Sequence, residues 1–173
     1  LSQAEHDVTA QSILITDDAA FADAVIEAVE ATIPTLASAN VARQSWNRFG
    51  AVILVDKLED APPLIDRLAP EHLELAVANP AALMAKVRHA GSVFMGRLTP
   101  EAIGDYLGGP NHVLPTGRRA RFSSGLSVTD FMKRTTFLSC SEDGLKAIGP
   151  SAVSLATAEG LPAHARSVSV RLG

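Results

Sequence analysis

Hydrophobic residues in the first two thirds of the chain form short continuous runs, separated by stretches in which they recur at helical spacing. The continuous run at 51–55 is typical of a strand buried on both faces. Shorter apolar runs at 11–16 and 92–95, and an alternating pattern at 72–77, predict three further strands. Strands that alternate with helices in this way predict a three-layer α/β domain with a parallel, incomplete Rossmann-like sheet.

The ends of the intervening helices are marked by capping residues, glycines and prolines. Asp17 or Asp18 caps the first helix, which Pro34 stops, and Asn79 caps a later helix that runs to Gly91. The other helices are predicted at about 38–49, at 62–68 and from the pair Thr99-Pro100 onward.

The pattern changes after Gly125. Only one β-like patch follows, at 135–139, and the remainder reads as two helices, at 142–159 and 162–171. We therefore expect residues 1–125 to form the α/β portion and residues 126–173 to form a small helical appendage.

Composition narrows the class of partner. The chain has 173 residues, 47% of them hydrophobic, and a net charge of −4, so it offers no basic field for nucleic acid. No apolar run approaches the ~18 residues that a membrane span needs. The single cysteine, Cys140, excludes an internal disulfide and a cysteine-rich zinc site. These features favour a cytoplasmic protein that binds a small molecule.

The segment 104–116 has the composition of a functional loop. It places an acid, a phenol, an amide and an imidazole among glycines and prolines, the residues that allow close approach of the backbone and fix its direction. An ordinary connection remains the alternative, because most clusters of glycine and proline are turns. The acid is Asp105, and the imidazole, His112, is a candidate for the surroundings of a site.

Candidate metal ligands are nitrogen and oxygen donors. Gln3 and His6 share a face if their segment is helical, and a zinc site without cysteine needs such side chains. Asp105 and His164 are the other plausible donors, although sequence separation alone does not bring them together. A solvated terminal helix is the commoner explanation for such a Gln/His pair when no other motif is considered.

Two further acidic positions accompany histidines. Glu71 and His72 follow Pro70 at the start of a predicted strand, and both reach one substrate only if Glu71 precedes the pleat. Glu159 lies where a helix must end before Gly160, five residues ahead of His164. Without other information, each of these charged positions is more typical of ordinary protein surface.

These residues lie in segments that resemble the histidinol dehydrogenase family. The resemblance runs through the whole chain in the family's order. The segments that carry it are Leu-Ser-Gln-Ala-Glu-His at 1–6, Ala-Pro-Glu-His-Leu-Glu at 69–74, Gly-Asp-Tyr-Leu-Gly-Gly-Pro-Asn-His-Val-Leu-Pro-Thr at 104–116, Ala-Arg-Phe-Ser-Ser-Gly-Leu-Ser-Val at 120–128, and Ala-Glu-Gly-Leu-Pro-Ala-His at 158–164.

The resemblance implies a role for each candidate residue. His72 would act as the general base, and Glu71 would activate water for the second oxidation. The zinc ligands would be Gln3, His6, Asp105 and His164, the last supplied by the other subunit of a homodimer. Residues expected to contact the substrate, L-histidinol, are Gln3, His6, His72, Asp105, Glu159 and His164.

The resemblance also implies oxidation of L-histidinol through the aldehyde to L-histidine, with zinc and two NAD. No Gly-x-Gly-x-x-Gly sequence is present, and the family's NAD contacts come mainly from sequence upstream of this portion. We therefore expect a C-terminal portion of the enzyme that is inactive alone. The alternatives are a family relative that oxidises another small alcohol, and a non-catalytic zinc-binding and dimerisation module.

Overall fold

The structure, a computed structural model, describes all 173 residues and divides into two compact units, Leu1–Phe131 and Met132–Gly173. The helices and strands of the first unit are β1 (Ile13–Thr16), α1 (Ala19–Thr32), α2 (Ala39–Phe49), β2 (Ala51–Leu54), α3 (Ala61–Leu68), β3 (His72–Leu75), α4 (Pro80–Met84), β4 (Ser92–Met95) and α5 (Glu101–Tyr106). The second unit contains α6 (Glu142–Ala158) and α7 (Pro162–Ser169). None of these helices is both long and apolar enough to cross a membrane.

The strands are parallel, which confirms the predicted α/β class, but they form two pairs. β1 pairs with β2, and β3 pairs with β4 with His72 opposite Ser92. Both pairs pack on a buried cluster that includes Ile65 of α3, because Ile15 of β1 and Leu73 of β3 contact it. The expected single sheet is therefore wrong, and a shared helix connects the two pairs in place of a common hydrogen-bond ladder.

Local capping was predicted correctly at two helix starts. The Asp18 carboxylate accepts a hydrogen bond from the amide of Phe21 at 3.0 Å, and the Asn79 side chain accepts one from the amide of Ala82 at 3.2 Å. Each bond satisfies an amide that has no partner within the first turn of its helix. These bonds fix where α1 and α4 begin.

Two helix boundaries differ from the prediction. α4 ends at Met84 and does not run to Gly91, because the amides of Arg88 and His89 donate to the Asp66 carboxylate at 2.8 and 3.0 Å. At α5, Pro100 is the capping residue, and the Thr99 hydroxyl donates instead to the carbonyl of Met95 at 3.0 Å.

The pair α1 and α2 is joined by an ion pair at its surface. Arg43 Nη1 lies 2.7 Å from Glu30 Oε2, and the hydrogen bonds from this guanidinium hold the pKa of the Glu30 carboxyl below its ordinary value. Beneath it, Ile33 and Ala42 belong to a separate buried cluster. The first unit therefore has two small cores, one under α1 and α2 and one beside α3.

In the second unit α6 and α7 pack on each other. Gly149 allows the close approach, since a Cβ at this position would lie 3.0 Å from Leu172. The β-like patch expected at 135–139 is wrong: these residues form no strand, and Leu138 is 95% exposed. A strand needs a neighbour for its backbone groups, and none pairs here. The boundary between the two compact units lies six residues after the domain boundary proposed at 125/126. The proposed domain boundary stays a prediction.

Candidate active site

His72 is the first residue of β3, and its side chain lies on the face of the β3–β4 pair that α5 covers. Side chains alternate along a strand, so Leu73 faces the opposite way, toward the cluster beside α3. Phe94 of β4 shares the face of His72, with 6.0 Å between the two ring centroids. The imidazole is thereby held between a sheet and a helix.

α5 brings two carboxylates to this imidazole. Glu101 and Asp105 are four residues apart and lie on one face of the helix. His72 Nε2 is 3.9 Å from Glu101 Oε1 and 3.8 Å from Asp105 Oδ1. One nitrogen or oxygen atom from each of the three residues lies within 4.8 Å of the others. Such a donor set is suited both to proton transfer and to a borderline cation such as zinc.

The cluster is largely withdrawn from solvent. Side-chain exposure is 13% for His72, 7% for Glu101 and 20% for Asp105. His72 Nε2 is fully buried and has no hydrogen-bond partner. Because a buried polar atom usually finds a partner, an unpartnered ring nitrogen between two carboxylates indicates a functional site.

Backbone contacts explain why α5 lies so close to the strands. The amide of Glu101 donates to Glu74 Oε1 at 2.8 Å, which holds the start of the helix on β3. Further along the helix, Gly104 lies against the ring of Phe94: a Cβ there would be 2.5 Å from Cε1. With α5 held against the strands in this way, Glu101 and Asp105 both lie beside His72, at the amino end of β3.

We expect Gly104→Ala to destabilise the protein and disturb the site. The added methyl group must displace the Phe94 ring or push α5 outward, and overpacking of this kind costs about 1–3 kcal/mol. Denaturant titration measures the loss of stability. An unchanged midpoint would show that α5 does not rely on this close contact.

Glu71 lies one residue before β3, half-buried. Its carbonyl accepts a hydrogen bond from the amide of Ser92 at 2.8 Å, and Gly91 packs against the same carbonyl. No hydrogen bond or ion pair connects its carboxylate with His72 or Asp105. The backbone of Glu71 is fixed beside the site, and its catalytic role stays a prediction.

The loop after α5 forms one wall of a cleft beside the cluster. His112 Nδ1 lies 3.4 Å from the carbonyl of Asp105, and the Asn111 side chain accepts from the amide of Val113 at 2.8 Å. Asp105, Pro110 and Asn111 line the cleft. The loop composition that suggested a functional segment therefore corresponds to a concave surface at Asp105.

The other predicted residues lie elsewhere in their units. Gln3 and His6 occupy an N-terminal turn in which the amide of His6 donates to the carbonyl of Gln3 at 3.2 Å. In the second unit, Glu159 follows the last residue of α6, and His164, in the first turn of α7, is exposed. No hydrogen bond or ion pair links Gln3 or His6 to Asp105. Their assignment as ligands stays a prediction.

Comparison with known proteins decides the family. The family model described as histidinol dehydrogenase matches residues 1–172. The chain belongs to the histidinol dehydrogenase family. It is 68% identical over 172 residues to a histidinol dehydrogenase of Zymomonas mobilis and 66% identical over 173 residues to one of Rhodospirillum rubrum. Each alignment covers 99% of this chain and 40% of the relative.

A solved histidinol dehydrogenase also has a similar structure. The crystal structure of the Elizabethkingia anophelis protein matches with a TM-score of 0.86 and 39% identity, over 99% of this chain and 39% of that chain. The chain thus spans about 40% of the length of the curated family members that it matches.

Glu101 is the member of the cluster that the sequence did not reveal. Thr99-Pro100 predicted the start of a helix correctly to within one residue, and Glu101 and Asp105 are four apart on that helix. The spacing that places two side chains on one helical face would have identified Glu101 once Asp105 was a candidate.

Proposed function

We propose that this chain carries the zinc-binding and substrate-binding part of a histidinol dehydrogenase, which oxidises L-histidinol through the aldehyde to L-histidine. The observation that carries the proposal is the buried imidazole of His72 between Glu101 and Asp105, beside a cleft. A general base withdrawn from water, next to an acidic metal ligand such as Asp105, suits the oxidation of an amino alcohol. Membership of the family supports the choice of substrate.

We propose zinc as the metal, held by Gln3, His6 and Asp105, with His164 of the partner subunit as the fourth ligand. The donors are imidazole, amide and carboxylate groups, which fit zinc in a site without thiols. The partly buried Asp105 carboxylate beside a cleft supports this fit. When bound, the zinc would orient the amino alcohol and polarise its oxygen.

His72 would accept the hydroxyl proton of the substrate as the alcohol is oxidised. Its position at a strand end, packed near Phe94, restricts the ring to few orientations, and orientation contributes much of the rate in such steps. Glu71, whose backbone is fixed by Ser92, would take a proton from the water that adds to the aldehyde. Glu159 would bind the cationic amine of the substrate through its negative charge.

The turns that follow β1 and β2 do not fit the pyrophosphate of NAD. β1 is followed by Asp17 and Asp18, and the Asp18 carboxylate occupies the amino end of α1, where an anion would otherwise bind. β2 is followed by Asp56. We therefore propose that the contacts with NAD come from other parts of the complete enzyme.

We also propose that the complete enzyme is a cytoplasmic homodimer with a shared active site. The proposal rests on the family resemblance around His164. Sedimentation of the complete gene product would report a mass twice that of one chain if it is correct, and a monomer that retains full activity would contradict it.

Assays of the complete product of the gene that encodes this chain test the proposed reaction. With zinc and NAD supplied, each L-histidinol should yield two NADH, because conversion of the alcohol to the carboxylate removes two hydride ions. L-Leucinol, an amino alcohol without imidazole, serves as the matched control substrate. Oxidation of leucinol without oxidation of histidinol would favour a relative that acts on another alcohol.

A further inference from the structure

We propose that Glu101 is the positioning residue for His72: its carboxylate holds the ring with hydrogen on Nε2, so that Nδ1 is the atom that accepts the substrate's proton. The inference rests on the proposed function, because it concerns the base of that reaction. It adds a residue on α5 to the pair Glu71 and His72.

The burial of Glu101 requires an explanation. Among charged residues it alone is buried, with a relative exposure of 6%. No lysine or arginine forms an ion pair with it, and no hydrogen bond reaches its carboxylate, while its amide donates to Glu74. A buried carboxylate is costly unless a partner compensates it. The imidazole of His72 is the one basic group within 4.0 Å.

Asp105 does not fill the same role. It is more exposed than Glu101, 20% against 7% for the side chain, and it lines the cleft in which a ligand would bind. A carboxylate that binds a metal has little charge left to orient a neighbouring ring. The Glu101 carboxylate, in contrast, lies 3.9 Å from the imidazole and is not among the groups that line the cleft.

The geometry selects one tautomer of His72. Nε2 lies between the two carboxylates and is fully buried, whereas Nδ1 is not fully buried. A carboxylate beside one ring nitrogen stabilises hydrogen on that nitrogen and leaves the other as the base. The present 3.9 Å separation must shorten by about 1 Å for a charge-assisted hydrogen bond, a tightening that is common when a catalytic site is assembled.

The kinetic test uses Glu101→Gln in the complete gene product, with Glu142→Gln as the matched control on the exposed surface of α6. Glutamine keeps the shape of the side chain and removes its charge. We expect kcat for alcohol oxidation to fall by about 10- to 100-fold, as for other groups that orient a functional imidazole, with KM and zinc content within about twofold of the parent. The control should match the parent.

Activity within twofold of the parent would overturn the proposal, because the carboxylate would then not be needed. A loss of activity in proportion to zinc content or melting temperature would also overturn it, because Glu101 would then have only a structural role. If the parent enzyme itself does not oxidise histidinol, the proposed function fails first. The spectroscopic test below does not depend on activity, so the two failures can be told apart.

Nitrogen NMR of histidine-labelled protein tests the tautomer directly. The sample is the complete gene product, and comparison with its His72→Gln variant identifies the signals of the ring in question. At about pH 9, where imidazole is neutral, we expect hydrogen on Nε2 in the parent and a mixture of tautomers in Glu101→Gln. Hydrogen on Nδ1 in the parent would overturn the proposal even if Glu101→Gln does not fold.

Discussion

His72→Ala is expected to slow both oxidations in the complete enzyme, whereas Glu71→Gln is expected to slow only the conversion of aldehyde to acid. Loss of a positioned base typically costs about 10²- to 10⁴-fold in rate, and His72 would serve both steps. Only the second step needs an activated water, the role proposed for Glu71. Single-turnover formation of NADH from L-histidinol and from its aldehyde measures the two steps separately.

His89→Ala is the matched histidine control. This residue lies after α4, its amide donates to Asp66, and no hydrogen bond or ion pair links its side chain to His72, Glu101 or Asp105. The variant should match the parent in both steps. Equal damage to both steps by Glu71→Gln would remove the water-activation role and leave Glu71 as a structural residue beside Ser92.

Removal of a proposed metal ligand is expected to have a comparably large effect. Asp105→Ala and His6→Ala should each lower the zinc content well below that of the parent and abolish oxidation, because a metal that has lost a donor binds more weakly and orients its substrate poorly. Elemental analysis of the purified complete gene product measures the zinc.

Two variants serve as controls for the metal assignment. Asp56→Ala removes an exposed carboxylate beyond β2, and Cys140→Ser removes the only thiol, which is exposed in the second unit. Both should retain zinc. Unchanged stoichiometry in Asp105→Ala and His6→Ala together would contradict the ligand assignment.

Local features of the fold could be predicted because their causes are local. Asp18 and Asn79 cap helices through bonds to amides three residues away, so their sequence neighbourhood contains the necessary information. The end of α4 depends on Asp66, which lies 22 residues before Arg88. The spacing of hydrophobic residues along the sequence does not predict such a distant contact. The division of the sheet likewise depends on how β1 and β3 pack on α3.

The candidate site divides in the same way. His72 and Asp105 were identified through short motifs, and the fold brings them within 3.8 Å across a strand and a helix. Glu101 was missed because its importance comes from burial and from its contact with Glu74, 27 residues earlier. The roles of Glu71, Glu159 and the N-terminal pair come from the resemblance. Within the first unit, no polar contact links Glu71 or the N-terminal pair to the cluster.

Diffraction at the zinc absorption edge, from crystals of the complete gene product with L-histidinol, tests the central claim most directly. We predict one strong zinc peak bound by Gln3, His6, Asp105 and His164 of the partner subunit, with His72 about 2.6–3.2 Å from the substrate hydroxyl. Zinc bound instead by His72, Glu101 and Asp105 would contradict this account, because the proposed base would then be a metal ligand.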